Sequence, residues 1–448
     1  MQIRRSDFTS PEHLGSRRLP PRANFYHFPD AESAKKIFKE FSPFTMDLDG
    51  TWQFRYTTSP ETLSFDAPES EWCDVTVPDC WTMRGFDRPQ YTNVVMPFPE
   101  LAPEVPAENP TGVYRRTFEL SEEWAARRSV LHFEGAESYF VVFVNGVKAG
   151  DSKDSRGAAE FDITPLCHAG TNELTVVVVK WSDGTFIEDQ DHWYLPGLSR
   201  SVYLYSTDPS CIGDIFARTT LEEDCKTGVL DLEVFCRFPG KVPEAFTVSA
   251  SLFAPDGSFV WQEDMTRSNA FGMFGNSIEP SRIRRLTQAK FPEVKRWSAE
   301  TPELYTLCVE LKNSEGAVSD AAAVRIGFRR YEVKNRDFLV NGKRVQINGV
   351  NRHEHHPDFG KAVPYETLKQ DIITMKRFNV NAVRTSHYPA APELYDLCDE
   401  YGLYVIDEAN LEHHAFYDDF CRNPQWTAVF ADRAARMFER DKNHALLL

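Results

Sequence analysis

From "MDLDGTWQFRY" onward the chain alternates short apolar runs with turn signals, and no apolar stripe of helical length appears before about residue 207. "YFVVFVNGVKAGD" reads as a hairpin, because two apolar runs flank Asn145-Gly146, a pair suited to a turn with positive φ at both positions. "AEFDITPL" and "NELTVVVVKW" add strands, so residues 43–207 are predicted to form an all-β sandwich or jelly roll. A second β block covers 208–328. "VLDLEVFCRF" and "LYTLCVELKNSEG" are strands in it, and "FTVSASLFAPDGSFVWQED" is a hairpin around Asp256-Gly257. Its size is that of an immunoglobulin-like sandwich.

The pattern changes after "RIGFRRYEV". A hairpin, "FLVNGKRVQI", turns at Asn341-Gly342, and strand then alternates with helix. "VQINGV", "VNAVRTS" and "LYVIDEAN" are strands. "YETLKQDIITMKRF" is amphipathic, with Leu368, Ile372, Met375 and Phe378 near helical spacing. "APELYDLCDEYG" is a short helix with Gly402 at its C′ position. "TAVFADRAARMFERD" sets Phe430, Ala434, Met437 and Phe438 on one face, and "ALLL" begins another strand. Repeated βα units with near-continuous apolar strands predict a parallel sheet. Residues 329–448 therefore read as the first half of a (β/α)8 barrel: about three βα units and the start of a fourth strand, where closure needs eight. Residues 1–42 are polar, proline-bearing and aperiodic, and read as an extended arm.

Composition narrows the function. The net charge of −17 argues against a nucleic-acid or anionic-membrane partner. The longest apolar runs are strand-length, too short to span a membrane, and the N-terminus has no apolar h-region. Nine dispersed cysteines without a CxxC pair read as free thiols in a reducing compartment, which predicts a cytoplasmic protein. Aromatics make up 13% of the chain; they can stack on sugar faces, but core packing is their first use.

The candidate chemistry lies where the predicted barrel strands end, the face on which such barrels carry their sites. The three ends read "NGVNRHEHHP", "VRTSHYP" and "DEANLEHH". "HEHH" is not a zincin motif, since position 357 is proline and the segment leaves a strand rather than riding a helix. Adjacent residues of a strand point to opposite faces, so Asp407 and Glu408 cannot flank one bond from the same side; the pair reads as structural or supporting. Glu412 and His414, two apart on one loop, could chelate a divalent ion, though such spacing alone is more often a solvated loop. In the first β block "WSDGTFIEDQDHWYLPG" packs acids and tryptophans into a turn region. A sugar-recognition loop and an ordinary sandwich-edge loop are both open there.

"NAVRTSHYPAAPELYDLCDEYGLYVI", residues 381–406, resembles the long signature of glycoside hydrolase family 2. "NGVNRHEHHP", "DEANLEHH", "YTNVVMPF", "ENPTGVYRRTF", "WSDGTFIEDQDHW" and "WSAETPELYTL" resemble, in order, blocks of that family's large β-galactosidases. The resemblance implies a jelly-roll sugar-binding domain, an immunoglobulin-like domain and a TIM barrel. It also implies retaining hydrolysis of terminal β-galactosides, lactose among them, with one glutamate as acid/base and another as nucleophile. By the same resemblance His353 and His387 match transition-state contacts, and Asn93 and Asp191 match sugar contacts lent by the first domain. Glu412 and His414 match magnesium ligands, and Asp191 a sodium ligand.

The chain departs from the family pattern at its end. Leu446 stands where a small residue is usual. Both catalytic glutamates are expected beyond Leu448, so no catalytic carboxylate lies in the chain, both ion sites are incomplete, and the 448 residues are expected to be inactive alone. The full-length protein is expected to be a homo-oligomer. The rival readings are a β-glucuronidase or β-mannosidase of the same family, and a non-catalytic carbohydrate-binding or complementing fragment. A metal-dependent hydrolase built on the histidines lacks its HExxH motif.

Overall fold

The computed structural model describes residues 3–65, 67–266 and 282–445. The first β block is a sandwich of a seven-stranded and a four-stranded sheet. At its centre Tyr139–Val144 pairs with Gly170–Val179 on one side and with Val147–Ser152 on the other. The Asn145-Gly146 turn has φ of 50° and 76°, the mirror-image turn that matches strand twist. "YFVVFV" is apolar at every position because both of its faces are covered. Phe140, Val142 and Val144 enter the inter-sheet core with Trp52, Phe133 and Val176. Tyr139, Val141 and Phe143 pack outward against Phe8, Trp181 and Phe186.

The second block is a three-stranded sheet on a four-stranded sheet. Leu230, Leu232 and Val234 face Val248, Ala250, Leu307 and Val309 across its core, the every-second-residue burial of a sandwich. Its Asp256-Gly257 hairpin joins Thr247–Phe253 to Phe259–Asp264. The third block carries the antiparallel hairpin at Asn341-Gly342 and then a parallel sheet of Gly349–Arg352, Ala382–Thr385 and Tyr404–Ile406. Helices Tyr365–Arg377 and Pro392–Tyr401 cover one side of that sheet through Leu368, Ile372, Leu394 and Leu397. Gly402 ends the second helix at φ 76°, and a Cβ there would sit 2.4 Å from the Ala299 carbonyl oxygen. The expected fourth strand, 446–448, lies outside the described residues.

Three sequence expectations change. Phe378 does not join the buried stripe of its helix but is exposed, because the chain has already turned away at the helix end. Helix Thr427–Asp441 does not bury Phe430, Ala434, Met437 and Phe438 as one face: Ala434 and Phe438 are exposed, and Val429, Arg433, Arg436 and Arg440 are buried instead. The surface it meets is a row of carbonyls and carboxylates. Arg433 donates to the Asn410 carbonyl at 2.7 Å and pairs with Glu188 at 2.6 Å. Arg440 donates to the Ala390 carbonyl and grips Asp441 bidentately at 2.7 Å. Guanidinium donors satisfy such a surface and phenyl rings cannot. Finally, the N-terminal arm is no loose extension. It contains two single-turn helices, Arg5–Phe8 and Ala31–Ala34, and sends Phe8, Phe25 and Phe28 into three separate apolar clusters.

Candidate active site

One loop of the first domain, 188–194, reaches the barrel strand ends. Glu188–Asp189 pairs in parallel with Glu412–His413, so two domains share a ladder at this point. Asp189 accepts from the Ala415 amide and from the Tyr194 hydroxyl, both at 2.8 Å. The Gln190 amide donates to Asn410 at 3.0 Å, and Asn410 in turn donates to Asp154 at 2.9 Å. Glu188 is held by Arg433. These groups are buried, and hydrogen bonds satisfy them where water cannot.

The dock sets the predicted residues on one rim. Trp193–Tyr194 pairs antiparallel with Gln90–Tyr91, in the register Trp193↔Tyr91. Asn93 and Asp191 lie in bends just outside that two-residue ladder, and both are exposed. The Tyr91 hydroxyl donates to Asp191. Between Asp191 and Trp193, the buried His192 turns inward and lies 5.0 Å, ring to ring, from His353 and 5.2 Å from His355.

On the barrel side His353 faces Tyr388, whose hydroxyl lies 3.4 Å from its Nδ1. Burial, then the charges of His387 and Arg156, push the His353 imidazole down to about 4, so it is neutral near pH 7. Burial, with Lys361 and Arg156, pushes His192 down to about 2. His387 lies 5.8 Å from His353, edge to face. Its Nδ1 is 2.8 Å from Glu408 Oε2, and its Nε2 is 3.8 Å from Glu412 Oε2. Glu408 also binds Arg384.

Asp407 and Glu408 part as the strand alternation requires. Asp407 turns into the packing, where it accepts from Tyr395 at 2.6 Å; burial and the nearby Asp441 push it up to about 7. Within "HEHH", Glu354 is a buried anchor. Burial alone would raise its carboxyl, but Arg200 at 2.7 Å, with Arg156, holds it down at about 2. His356 stacks on Phe359 instead of joining the site.

No group of three His, Cys, Asp or Glu side chains among the described residues could hold a metal ion. Glu412 Oε2 and His414 Nδ1 are nevertheless buried without a hydrogen-bond partner. Two orphaned ligand atoms at the seam fit part of a cation site. The site thus gathers His353, His387 and Glu412 from the barrel side and Asp191 from the first domain; Asn93 lies two residues along from Tyr91, which binds Asp191. The sequence reading missed His192, whose approach to His353 joins two domains and leaves no signal along the chain.

Comparison with known proteins places this arrangement. Three models of glycosyl hydrolases family 2 match in sequence: its sugar-binding domain over 45–208, the family's middle domain over 211–329 and its TIM barrel domain over 331–448. The chain belongs to glycosyl hydrolases family 2. A curated β-galactosidase of Psychromonas ingrahamii is 37% identical over all of this chain and 43% of its own length. One of Pectobacterium atrosepticum is 38% identical over the same shares. The chain thus spans less than half the length of these relatives. Among solved structures, Bacteroides uniformis β-glucuronidase 2 superposes with a TM-score of 0.74 at 20% identity, covering 90% of this chain and 46% of its own. A Bifidobacterium dentium β-glucuronidase gives 0.73 at 23% identity, covering 90% of this chain and 66% of its own. At those identities the likeness is one of fold.

Proposed function

We propose that these 448 residues form the sugar-holding part of a retaining β-galactosidase that releases terminal β-D-galactose, as from lactose. The observation that carries the reading is the convergence of Asp191, on the jelly-roll loop, with His353 and His387 at the barrel strand ends. The names of the curated relatives support galactose as the sugar.

In this reading the neutral His353 hydrogen-bonds a sugar hydroxyl. His387 is held through Nδ1 by Glu408, which leaves Nε2 for the sugar and the Glu412 side of the site. Asn93 and Asp191 bind hydroxyls from the opposite wall. The acid/base and nucleophile glutamates are supplied by residues outside the 448, in the double displacement general to retaining enzymes. Glu412 and His414 would hold magnesium and Asp191 would contribute to sodium. Bound there, the cations supply positive charge that orients sugar and carboxylates. The full-length enzyme is proposed to be a cytoplasmic homo-oligomer with no nucleic-acid or membrane partner. The nine free cysteines of the 448 residues support a reducing compartment, and no helix among the described residues is long and apolar enough to cross a membrane.

Saturation-transfer NMR on the purified chain tests this. Methyl β-galactoside is expected to bind weakly, to lose its signal in His353→Ala, and to outcompete methyl β-glucuronide and β-mannoside. Nitrophenyl β-galactoside is expected to survive incubation with the chain. Preference for the glucuronide would move the assignment to the β-glucuronidases, and hydrolysis by the chain itself would refute the placing of the carboxylates.

A further inference from the structure

His353 and Tyr388 lie just past the ends of neighbouring parallel strands, whose last paired residues are Arg352 and Thr385. Tyr388 is 1% exposed, so its hydroxyl depends on partners within the protein. That hydroxyl accepts from the Glu354 amide at 3.0 Å. Its own hydrogen still needs an acceptor, because a buried donor left unpaired is costly. Among the described residues the acceptor within reach is His353 Nδ1, at 3.4 Å. The bond is long, as hydrogen bonds of an unliganded site often are.

We propose that Tyr388 is a positioning residue for the sugar site: by donating to His353 Nδ1 it keeps that nitrogen free of a proton, so that His353 meets the sugar as a hydrogen-bond donor through Nε2. The proposal rests on the galactosidase reading above. A neutral imidazole carries one N–H, and a ring that accepts at Nδ1 carries it on Nε2. Burial first, then the charges of His387 and Arg156, keeps the ring neutral. Nε2 lies on the far side of the ring from Tyr388, on a side chain that is only half-buried. A sugar hydroxyl that faces this nitrogen accepts from it, which leaves the hydroxyl's own hydrogen for another acceptor.

The aim of the Tyr388 hydroxyl is set by its surroundings. Arg156, itself 2% exposed, lays its guanidinium over the phenol ring at 4.1 Å. Neither terminal nitrogen of Arg156 has a hydrogen-bond partner among the described residues, so its charge meets the ring face and the Glu354 carboxylate 3.7 Å away. Glu354 accepts from the Ala391 amide at 2.6 Å and from Arg200 at 2.7 Å, and Arg200 also donates to the Pro389 carbonyl at 2.7 Å. The segment after Tyr388 is thus pinned to the carboxylate of the same residue whose amide meets the hydroxyl. A phenol fixed at its ring face, its hydroxyl and its following residues has little freedom to turn away from His353. In histidine, which nitrogen holds the proton is decided by the hydrogen bond at the other.

Nitrogen-15 NMR of the 448-residue chain, labelled in its histidine rings, tests this, with the His353 signals identified by their loss in His353→Gln. In the unliganded chain Nδ1 is expected to show the shift of an unprotonated nitrogen and Nε2 that of a protonated one. Saturating methyl β-galactoside is expected to move the Nε2 signal and to leave Nδ1 unprotonated. In Tyr388→Phe, which keeps the ring, the Nδ1 signal is expected to move and methyl β-galactoside to bind about fivefold more weakly, the order of one hydrogen bond. If that variant melts early by circular dichroism, the unmodified chain still decides, since a protonated Nδ1 there overturns the proposal. Loss of affinity in Tyr388→Phe with both ring signals unmoved would make the hydroxyl merely structural and overturn it too. Binding of methyl β-galactoside with a protonated Nδ1 leaves the galactosidase reading standing and sinks the proposal alone. If no β-galactoside binds although Nδ1 is unprotonated, that reading fails and the donor role of Nε2 with it.

Discussion

The two walls of the candidate site are built by different chemistry. The barrel wall rests on apolar packing, where Leu394, Leu397 and Cys398 lie under Ala382, Val383 and Val405. The jelly-roll wall rests on buried charge and hydrogen bonds, where Glu188, Asp154, Gln190, Asn410 and Arg433 form one connected network. Apolar contact is tolerant of small displacements; a buried hydrogen-bonded network is satisfied in one arrangement only. The loop 188–194, which lies across the strand ends of another domain, is thus fixed by the interaction with the narrower geometry.

That contrast can be broken from either side. The largest effect is expected from Arg433→Met, which leaves Glu188 buried beside Asp154 without its cation. A loss of about 3–5 kcal/mol in urea denaturation is the expectation for a broken buried pair, and a loss below about 1 kcal/mol would mean the network does not anchor the loop. Leu394→Ala empties a fully buried position of the barrel wall and is expected to cost about 2–5 kcal/mol, without altering the ring contact of His192 with His353.

Next in size is the acid limb. The Glu354 carboxyl is held at about 2 in the folded chain against an ordinary 4.5, so the folded state favours its ionised form. Its stabilisation is full above about pH 4.5 and is lost as pH falls toward 2. The expected size is about 2–4 kcal/mol, and Glu354→Gln should flatten the slope of stability against pH in that window. The smallest effect on stability, about 1 kcal/mol or less, is expected from Glu408→Gln, whose ion pair with Arg384 is partly solvated. Its consequence should appear instead in sugar binding, since His387 exchanges a charged acceptor for a neutral amide oxygen that holds its ring less firmly. Unchanged affinity for methyl β-galactoside would exclude that positioning role.

What was legible in the sequence was what local chemistry decides. Asn145-Gly146 and Gly402 announce a turn and a helix end because few other residues suit positive φ, and "YFVVFV" announces a strand buried on both faces. The barrel strand ends were legible as polar clusters breaking apolar runs. The buried face of helix Thr427–Asp441 was not, because an apolar stripe is evidence of burial only where the opposing surface is apolar too. Arg433, Arg436 and Arg440 face a polar rim that no one-dimensional pattern reveals. The nearness of the Asn93 and Asp191 segments depends on a two-residue ladder, Gln90–Tyr91 with Trp193–Tyr194, and the approach of His192 to His353 spans two domains. No spacing along the chain encodes either; for Asn93 and Asp191 only the family resemblance pointed to a shared site.

The stitched N-terminal arm has a consequence for how the chain is made. Arg18 pairs with Asp432 across a sequence separation of 414 residues, and Phe8 lies on Tyr139 within a cluster that also includes Trp426 and Val429. On a ribosome the arm emerges ahead of every partner it has in the second and third blocks, Asp432 following Arg18 by 414 residues. Each β sandwich can close while synthesis proceeds, but the outer face of "YFVVFV" waits for helix Thr427–Asp441 to complete its cover. The arm therefore reaches its final place late, and chaperone demand should peak while that apolar face is still open.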